Sequence, residues 1–400
     1  MATFINQHMA KILLILNNSF WLKAEKGVSG GDQMMIDLFS KVAQHYGEIY
    51  YIGSSKSIAL MKAHGLNFTF RQTPVFIDGF PITVGYPLRT LYALWYVFFL
   101  KTKVDFIYSA SDFLPDVVPA FFCKTVLVGA KWIQCVMHII PHYAKRKGNN
   151  FSNILAYWAQ QISFKVIKSA DNVIVINNLV KTVLINEYYL NKSKILLITP
   201  CVDAARFRDI RKKRAAEGGS YECTYDCVYV GRFNEQKGVN DLPRIWKEVQ
   251  RTRPSAKLAI IGSGNDNHVK KITELIVEFN LIDSITLFGF LDKNLCESIL
   301  QKSKIFIFPS YEEGFGLVVL EAFLSGNAVI AWDLPHYAET FGGVITTISV
   351  GDILAMANEV IRAIDNPNLF TEKQNAIEAQ LQRYDIAVMS RRLHELMWTD

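Results

Sequence analysis

Two glutamates, Glu313 and Glu321, lie eight positions apart across a glycine-rich turn, and their carboxylates could bind a ligand rich in hydroxyl groups. The residues that open this stretch are Glu312-Glu313-Gly314-Phe315-Gly316-Leu317. An ionised carboxylate accepts hydrogen bonds but cannot donate them, so sugar and ribose hydroxyls are its natural partners. The pattern therefore predicts a site for a sugar-bearing ligand.

The elements that must position these carboxylates are a buried strand, a tight turn and the first turn of a helix. Residues 305–309 are apolar and predict the strand, and residues 317–324 predict the helix. Gly314 and Gly316 lack a Cβ atom, so a ligand can approach the backbone closely. The helix N-terminus has unpaired backbone N–H groups and partial positive charge, and it therefore suits a diphosphate.

This stretch resembles the E-x7-E signature of a known family, the retaining nucleotide-sugar glycosyltransferases of the GT-B fold in glycosyltransferase family 4 (group 1). The resemblance implies that Glu313 contacts the donor sugar and that Glu321 contacts the nucleotide ribose. It also implies that the turn and helix start bind the donor through Gly314, Phe315, Gly316 and Leu317.

A second motif, Gly231-Arg232 followed by Lys237-Gly238, resembles the G-R-x4-K-G element of the same family. There the two cations neutralise the donor diphosphate. A guanidinium binds phosphate oxygens bidentately and an ammonium acts as a point charge, so the two complement each other. No Asp-x-Asp metal motif stands out, and we expect these cations to replace a divalent ion. We therefore expect no bound metal or cofactor, with the nucleotide sugar as substrate.

The first half of the chain supplies the remaining candidates. A strand at residues 11–16 and a loop ending in Gly30 and Gly31 precede a helical pattern at residues 32–45, which is typical of a Rossmann-like unit. The resemblance implies that this glycine loop closes over the donor phosphates. It also implies that a histidine after the strand at residues 133–137 lies near the donor sugar. His138 is the first match and His142 is the alternative; a core histidine without that role is the other interpretation.

Only the resemblance indicates which residues contact the nucleobase of the donor. It implies that the backbone of Phe290 and Leu291, which follow a strand at residues 285–289, contacts the base.

The length of 400 residues exceeds what one hydrophobic core usually serves, and this favours two domains. The resemblance implies a GT-B α/β fold in which two Rossmann-like domains face each other across a cleft. The terminal helix then crosses back to the first domain. The predicted divisions are residues 1–207 for the acceptor domain, 208–222 for a linker, 223–383 for the nucleotide-sugar domain and 384–400 for the terminal helix.

The charge is distributed unevenly: residues 1–200 hold 20 Lys and Arg against 10 Asp and Glu, whereas the remainder holds 23 against 27. Residues 86–168 are unusually rich in basic and aromatic residues, which are interleaved on predicted helices. This favours peripheral contact of the first domain with an anionic membrane. A buried helix beside a solvated basic loop fits nearly as well. No nucleic-acid motif and no transmembrane segment is found in the sequence. The six cysteines show no metal or disulfide pattern, and we expect a cytoplasmic protein.

These expectations combine into a metal-independent retaining glycosyltransferase. It would move a hexose-type sugar from a nucleotide-sugar donor to a saccharide acceptor. We prefer the interpretation that this acceptor is lipid-linked and that the reaction belongs to surface polysaccharide or glycan assembly. His138, Glu313, Arg232 and Lys237 would be its catalytic group. The alternatives are a GT-B nucleotide-sugar epimerase, a phosphorylase acting on glycans and a non-catalytic sugar-nucleotide-binding partner.

Overall fold

The chain folds around two parallel β-sheets. The computed structural model describes residues 9–17, 30–127, 129–146, 150–206, 208–210, 223–366 and 372–398. Residues 211–222, most of the predicted linker, therefore lie outside the described part of the chain.

The first sheet has seven strands in the order β3-β2-β1-β4-β5-β6-β7, and all of their pairings are parallel. The strands are β1 Lys11–Leu16, β2 Glu48–Gly53, β3 Thr69–Gln72, β4 Phe106–Ser109, β5 Lys131–Val136, β6 Asn172–Val175 and β7 Ile195–Leu197. The helices are α1 Gly30–Val42, α2 Ser55–Ala63, α3 Ile82–Phe98, α4 Leu114–Val126, α5 Asn150–Val166 and α6 Asn178–Asn186.

Both faces of the first sheet are buried, and this explains why β1 is a continuous apolar run. Ile12 and Leu14 pack into one apolar cluster, whereas Leu13 and Ile15 pack into another on the opposite face. Parallel sheets covered by helices on both sides have strands of this composition.

The second sheet has six strands in the order β10-β9-β8-β11-β12-β13, again all parallel. The strands are β8 Tyr225–Val230, β9 Leu258–Ile261, β10 Ile285–Gly289, β11 Ser303–Phe308, β12 Ala328–Trp332 and β13 Thr346–Ile348. The helices are α7 Leu242–Thr252, α8 Asp266–Glu278, α9 Lys293–Gln301, α10 Leu317–Ser325, α11 Tyr337–Phe341, α12 Ile353–Asp365 and α13 Gln374–Arg383. In both sheets the order reverses beside the first strand, as in Rossmann-like units.

The last described helix, α14 Ile386–Trp398, returns to the first domain. Trp398 stacks on Tyr46 with ring centroids 6.2 Å apart and meets Phe106 edge-on at 6.2 Å. The predicted α/β architecture and the crossing terminal helix are confirmed, whereas the exact domain boundaries remain predictions. Among the described helices, none combines the length and the apolar character needed to cross a bilayer.

Candidate active site

A cleft of about 280 Å³ lies where the carboxyl ends of strands from both sheets meet. Ligands of open parallel sheets bind at this edge because the strand order reverses there. The residues that line it are Gly30, Gly31, Met137, His138, Arg146, Ile176, Pro200, Arg232, Gln236, Lys237, Glu312, Glu313, Gly314, Phe315, Gly316 and Leu317. The cleft therefore brings together the predicted site residues of both halves, except for three that lie elsewhere: Glu321, Phe290 and Leu291.

The glycine turn joins β11 to α10, as the sequence predicts. Gly316 precedes the first residue of α10 with φ of +92°, a left-handed conformation that glycine adopts without steric penalty. At Gly314 an added Cβ would lie 2.6 Å from the carbonyl oxygen of Met137, so glycine permits contact between the domains. Asn177 of the first domain donates its side-chain N–H to the Gly314 carbonyl oxygen at 2.6 Å.

Lys237 lies directly beside the first glutamate of the motif. Its Nζ donates to Glu313 Oε1 at 2.5 Å and to the Glu312 carbonyl oxygen at 3.1 Å. The next residue, Gly238, has φ of +66°, and a Cβ there would lie 1.8 Å from the Pro309 carbonyl oxygen. Glycine therefore allows the cationic loop to pack against the end of β11. The ammonium is therefore held by a carboxylate in the wall of the cleft.

The neighbouring glutamate, Glu312, joins the two domains. Its Oε1 lies 3.0 Å from His138 Nε2, and both of its oxygens accept from the Arg146 guanidinium at 2.8 Å. Burial raises the pKa of Glu312, but the hydrogen bonds from His138 and Arg146 outweigh it and lower the value to about 2. Glu312 is therefore a carboxylate at every physiological pH.

The two candidate histidines have different surroundings. His138 lines the cleft and contacts Glu312, whereas His142 is exposed and its Nδ1 accepts from the Ala144 N–H at 3.4 Å. The geometry therefore favours His138 as the histidine near a bound ligand.

The backbone around His138 is held by two buried polar side chains. Gln160 donates through Nε2 to the His138 carbonyl oxygen and to Asp112 Oδ2, each at 2.6 Å, and its Oε1 accepts from the Ile140 N–H at 2.8 Å. Asp112 Oδ1 accepts from the Met137 N–H at 3.4 Å. These contacts fix the loop after β5, so Gln160 and Asp112 are positioning residues for the imidazole.

Replacing Gln160 with alanine is expected to lower stability and misplace His138. The change removes the Gln160 amide that pairs with Asp112 Oδ2, the His138 carbonyl oxygen and the Ile140 N–H. This loss costs about 1–3 kcal/mol of unfolding free energy. A displaced imidazole should also lower turnover by roughly a hundredfold, since errors near 1 Å have that effect. Thermal melts and turnover measurements would check both. Gln161→Ala, which removes the acceptor for Tyr188 Oη, is the matched control. Equal turnover in the two variants would contradict the positioning role.

Glu321 lines a smaller neighbouring pocket of about 110 Å³. Leu317, at the start of α10, lines this pocket and the larger cleft. Burial raises the pKa of Glu321 to about 7; Lys293 opposes the shift, whereas Glu297 and Asp37 add to it. Phe290, which is exposed, and Leu291 come just before α9, whose first residue Lys293 lines this pocket.

The raised pKa of Glu321 predicts a pH effect on stability. The folded protein holds a proton on this carboxyl between its ordinary pKa of 4.5 and about 7, whereas the unfolded chain has released it. Stability therefore falls as the pH rises through this window, by about 3 kcal/mol at most. Melting temperatures of the ligand-free protein should show the slope, and Glu321→Gln should remove most of it. An unchanged slope in this variant would assign the effect to other groups.

Sequence reasoning did not identify Arg146, Glu312, Asp112 or Gln160 as site residues. Arg146 lies within residues 86–168, the basic and aromatic stretch that favours membrane contact. Glu312 precedes Glu313 in the motif, and the resemblance implies no role for it. The available signal in the sequence is an arginine, Arg146, eight residues after His138. The carboxylate that both residues contact, Glu312, lies 166 positions beyond Arg146.

Comparison with known proteins finds a family match in the second half of the chain. Residues 210–383 match the family model described as Glycosyl transferases group 1. The match covers somewhat less than half of the chain. It contains the Arg232, Lys237, Glu313 and Glu321 positions.

Curated relatives are glycosyltransferases with modest identity. A glycogen synthase of Mycobacterium tuberculosis is 25% identical over 191 residues, which are 47% of this chain and 44% of that protein. A GDP-mannose:cellobiosyl-diphosphopolyprenol alpha-mannosyltransferase of Xanthomonas oryzae pv. oryzae is 27% identical over 163 residues, 40% and 42% of the two chains. A UDP-Gal:alpha-D-GlcNAc-diphosphoundecaprenol alpha-1,3-galactosyltransferase of Escherichia coli is 24% identical over 301 residues, 70% and 74%. The match spans less than half the length of the first two relatives.

Solved structures show the same fold over nearly the whole chain. Anabaena Alr3699/HepE, in complex with UDP and glucose, is 16% identical with a TM-score of 0.73 over 97% of this chain and 99% of that one. Sucrose-phosphate synthase from Thermosynechococcus elongatus is 16% identical with a TM-score of 0.77 over 97% and 98%. The chain thus has the GT-B fold that the motif resemblance implies.

Proposed function

We propose that this protein is a retaining glycosyltransferase that moves a hexose-type sugar from a nucleotide-diphosphate sugar to a saccharide acceptor. One observation carries the proposal: Lys237, Arg232 and the N-terminus of α10 line one cleft with Glu313, and His138 of the other domain lines it too. Cations and backbone N–H groups suit a diphosphate, while the carboxylate suits sugar hydroxyls. The cleft therefore has binding groups for both parts of such a donor.

The donor would lie along the start of α10. Its diphosphate would bind Arg232, Lys237 and the N–H groups that follow Gly316, and its sugar would lie between Glu313 and His138. The ribose would reach Glu321 in the adjoining pocket, because Leu317 lines both spaces. Phe290 and Leu291 would border the base. Gly30 and Gly31, at the N-terminus of α1, would approach the phosphates from the first domain.

The chemistry proposed for this site is electrostatic. Negative charge develops on the leaving diphosphate as the bond to the anomeric carbon breaks, and fixed positive groups stabilise it. Lys237 and Arg232 supply that charge from the protein, which is the basis for proposing metal-independent transfer. Glu313 would orient the sugar through its hydroxyls. Attack on the face from which the diphosphate departs would retain the anomeric configuration, with the leaving phosphate accepting the acceptor proton.

We further propose a lipid-linked acceptor and a role in surface polysaccharide or glycan assembly. The names of the Xanthomonas and Escherichia coli relatives specify diphosphopolyprenol and diphosphoundecaprenol acceptors. The basic first domain suits such an anionic diphosphate, and it suits peripheral contact with an anionic membrane.

The testing experiment is a thermal-shift panel of nucleoside diphosphates and their sugars, with and without Mg²⁺. A ligand that binds the folded state raises its stability, so one nucleotide should raise the melting temperature with or without Mg²⁺. The stabilising sugar nucleotide is then incubated with diphosphopolyprenol-linked saccharides, and the product is examined for anomeric configuration. The proposal would be contradicted if no nucleotide or nucleotide sugar raised the melting temperature, or if the donor were consumed without any acceptor.

A further inference from the structure

Two helices of the first domain carry apolar side chains on their solvent-facing sides. In α3 the exposed residues Val84, Leu91, Trp95 and Phe98 recur at helical spacing and form one stripe, with Phe99 following. In α5 a similar stripe consists of Phe151, Ile154, Leu155, Trp158 and Ile162. Trp95 and Trp158 are 59% and 56% exposed. Exposed apolar residues scattered singly are ordinary, whereas contiguous patches mark interaction sites.

The two stripes belong to one layer. Helix α4 packs against α3 on one side and against α5 on the other, so the three helices lie side by side. Their inner residues, including Ala93, Val117 and Phe164, share one core cluster with the first sheet. The other face of the sheet is covered by α1, which contacts α14. No element of the described chain covers the outer stripes of α3 and α5. We call the exposed residues of these two stripes the apolar face.

The surroundings of the apolar face are strongly basic. Residues 78–171 contain ten Lys and Arg against five Asp and Glu. Asp112 and Asp116 are buried, and Asp105 accepts from the Lys11 backbone N–H. Asp78 and Asp171 form ion pairs with Arg89 and Lys124. Lys101, Lys103, Lys165 and Lys168 are exposed. An apolar surface with exposed tryptophans and basic flanks is complementary to the interface of an anionic bilayer.

We propose that the apolar face docks this protein on an anionic lipid bilayer, with Trp95 and Trp158 at the level of the headgroups. This deepens the lipid-linked part of the proposed function and rests on it only for the identity of the acceptor. The occupant is a membrane and not a second copy of this chain, because basic patches on two copies would repel each other.

Helix α5, which carries one of the two stripes, is also connected to the cleft. Arg146, which pairs with Glu312 inside the cleft, donates to Asn153 on α5 at 3.3 Å. A run of aromatic contacts joins His142, four residues after the cleft residue His138, to the α5 stripe. It passes from His142 to Tyr157 at 5.1 Å between ring centroids and on to Trp158 at 5.6 Å. A saccharide anchored in the docked bilayer would thus enter the cleft beside the N-terminus of α5.

The experiment is co-sedimentation of the full chain with vesicles of phosphatidylglycerol and phosphatidylcholine, compared with phosphatidylcholine alone. The wild type should pellet with the anionic vesicles and remain in the supernatant with the neutral ones. The double variant Trp95→Glu and Trp158→Glu should lose binding by at least an order of magnitude, because a charge replaces each interfacial anchor. Val277→Glu is the matched control, since Val277 is an exposed helical residue, 57% accessible, in the second domain.

A second variant keeps the test independent of tryptophan. Lys101→Glu with Lys103→Glu reverses two exposed positive charges and should weaken partitioning by at least about thirtyfold, with a larger effect at lower ionic strength. Both double variants should keep the nucleotide-induced thermal shift, which separates loss of docking from loss of the donor site. Unchanged pelleting of both variants, or indifference of the wild type to lipid charge, would overturn the inference. The inference would also be overturned if the wild type formed a dimer without lipid and the variant Trp95→Glu with Trp158→Glu were monomeric. That result would assign the apolar face to a second copy of the chain.

Discussion

Alanine at Lys237 is expected to slow sugar transfer by about a hundredfold to a thousandfold, because it removes a fixed cation from the leaving diphosphate. The same change releases Glu313, whose Oε1 accepts from Lys237 Nζ at 2.5 Å, so the sugar would lose its orientation as well. The measurement is kcat and KM for donor at saturating acceptor. A fall in kcat with a smaller rise in KM would show that the ammonium acts mainly in the transition state.

The control for this variant is another lysine of the same domain. Lys271 forms a surface ion pair with Glu235 at 3.3 Å and is half exposed, so Lys271→Ala should leave transfer unchanged. Arg232→Ala should show the same signature as Lys237→Ala, since both cations line the cleft. If Lys237→Ala kept turnover within a few-fold of the wild type while the nucleotide still bound, the proposal that Lys237 stabilises the charge of the leaving diphosphate would be wrong.

The part of the site that the sequence predicted well is local in the chain. The strand expected at residues 305–309 is Ser303–Phe308, and the helix expected at residues 317–324 is Leu317–Ser325. The signals were a buried apolar run, glycines at a turn and an apolar helix start, and each depends on neighbouring residues only. The same holds for β1, predicted and found at Lys11–Leu16.

Some elements escaped prediction for physical reasons. Helix α4 contains Pro115 and Pro119, which usually signal a helix break, although Pro115 lies in the first turn where no N–H is needed. Strands β3 and β13 are only four and three residues long and are not fully buried, so their sequences lack the apolar run that marked the central strands.

The arrangement of the site across the cleft was the least predictable part. The contact of Arg146 with Glu312 spans 166 positions, and nothing local to either residue indicates it. The placement of Glu321 in a separate pocket likewise depends on Asp37 and Arg206, which line the same pocket from distant parts of the chain. Motif spacing predicts which charged residues belong to the site, whereas the packing of the two domains determines which of these residues form ion pairs.

Glutamine in place of Glu313 is expected to lower turnover by at least about a hundredfold with little change in stability or in donor affinity. The amide keeps the shape of the side chain but loses the charge that holds Lys237 and accepts strongly from sugar hydroxyls. A reacting sugar displaced by about 1 Å loses rate on this scale. Arg232 and Lys237 still bind the diphosphate, so the nucleotide-induced thermal shift should persist. Single-turnover kinetics with saturating donor would measure the effect on the chemical step.

Glu312→Gln is the matched control for Glu313→Gln, because the two neighbours have partners in different domains. The pKa of Glu312 is lowered to about 2, so its contribution to stability is complete above 4.5 and is lost as the pH falls toward 2. Glutamine there should lower the unfolding free energy by about 3 kcal/mol at pH 7 and flatten the acid limb of the stability profile. Turnover should fall less than in Glu313→Gln. The reverse pattern, with turnover lost in Glu312→Gln and stability lost in Glu313→Gln, would exchange the roles of the two carboxylates.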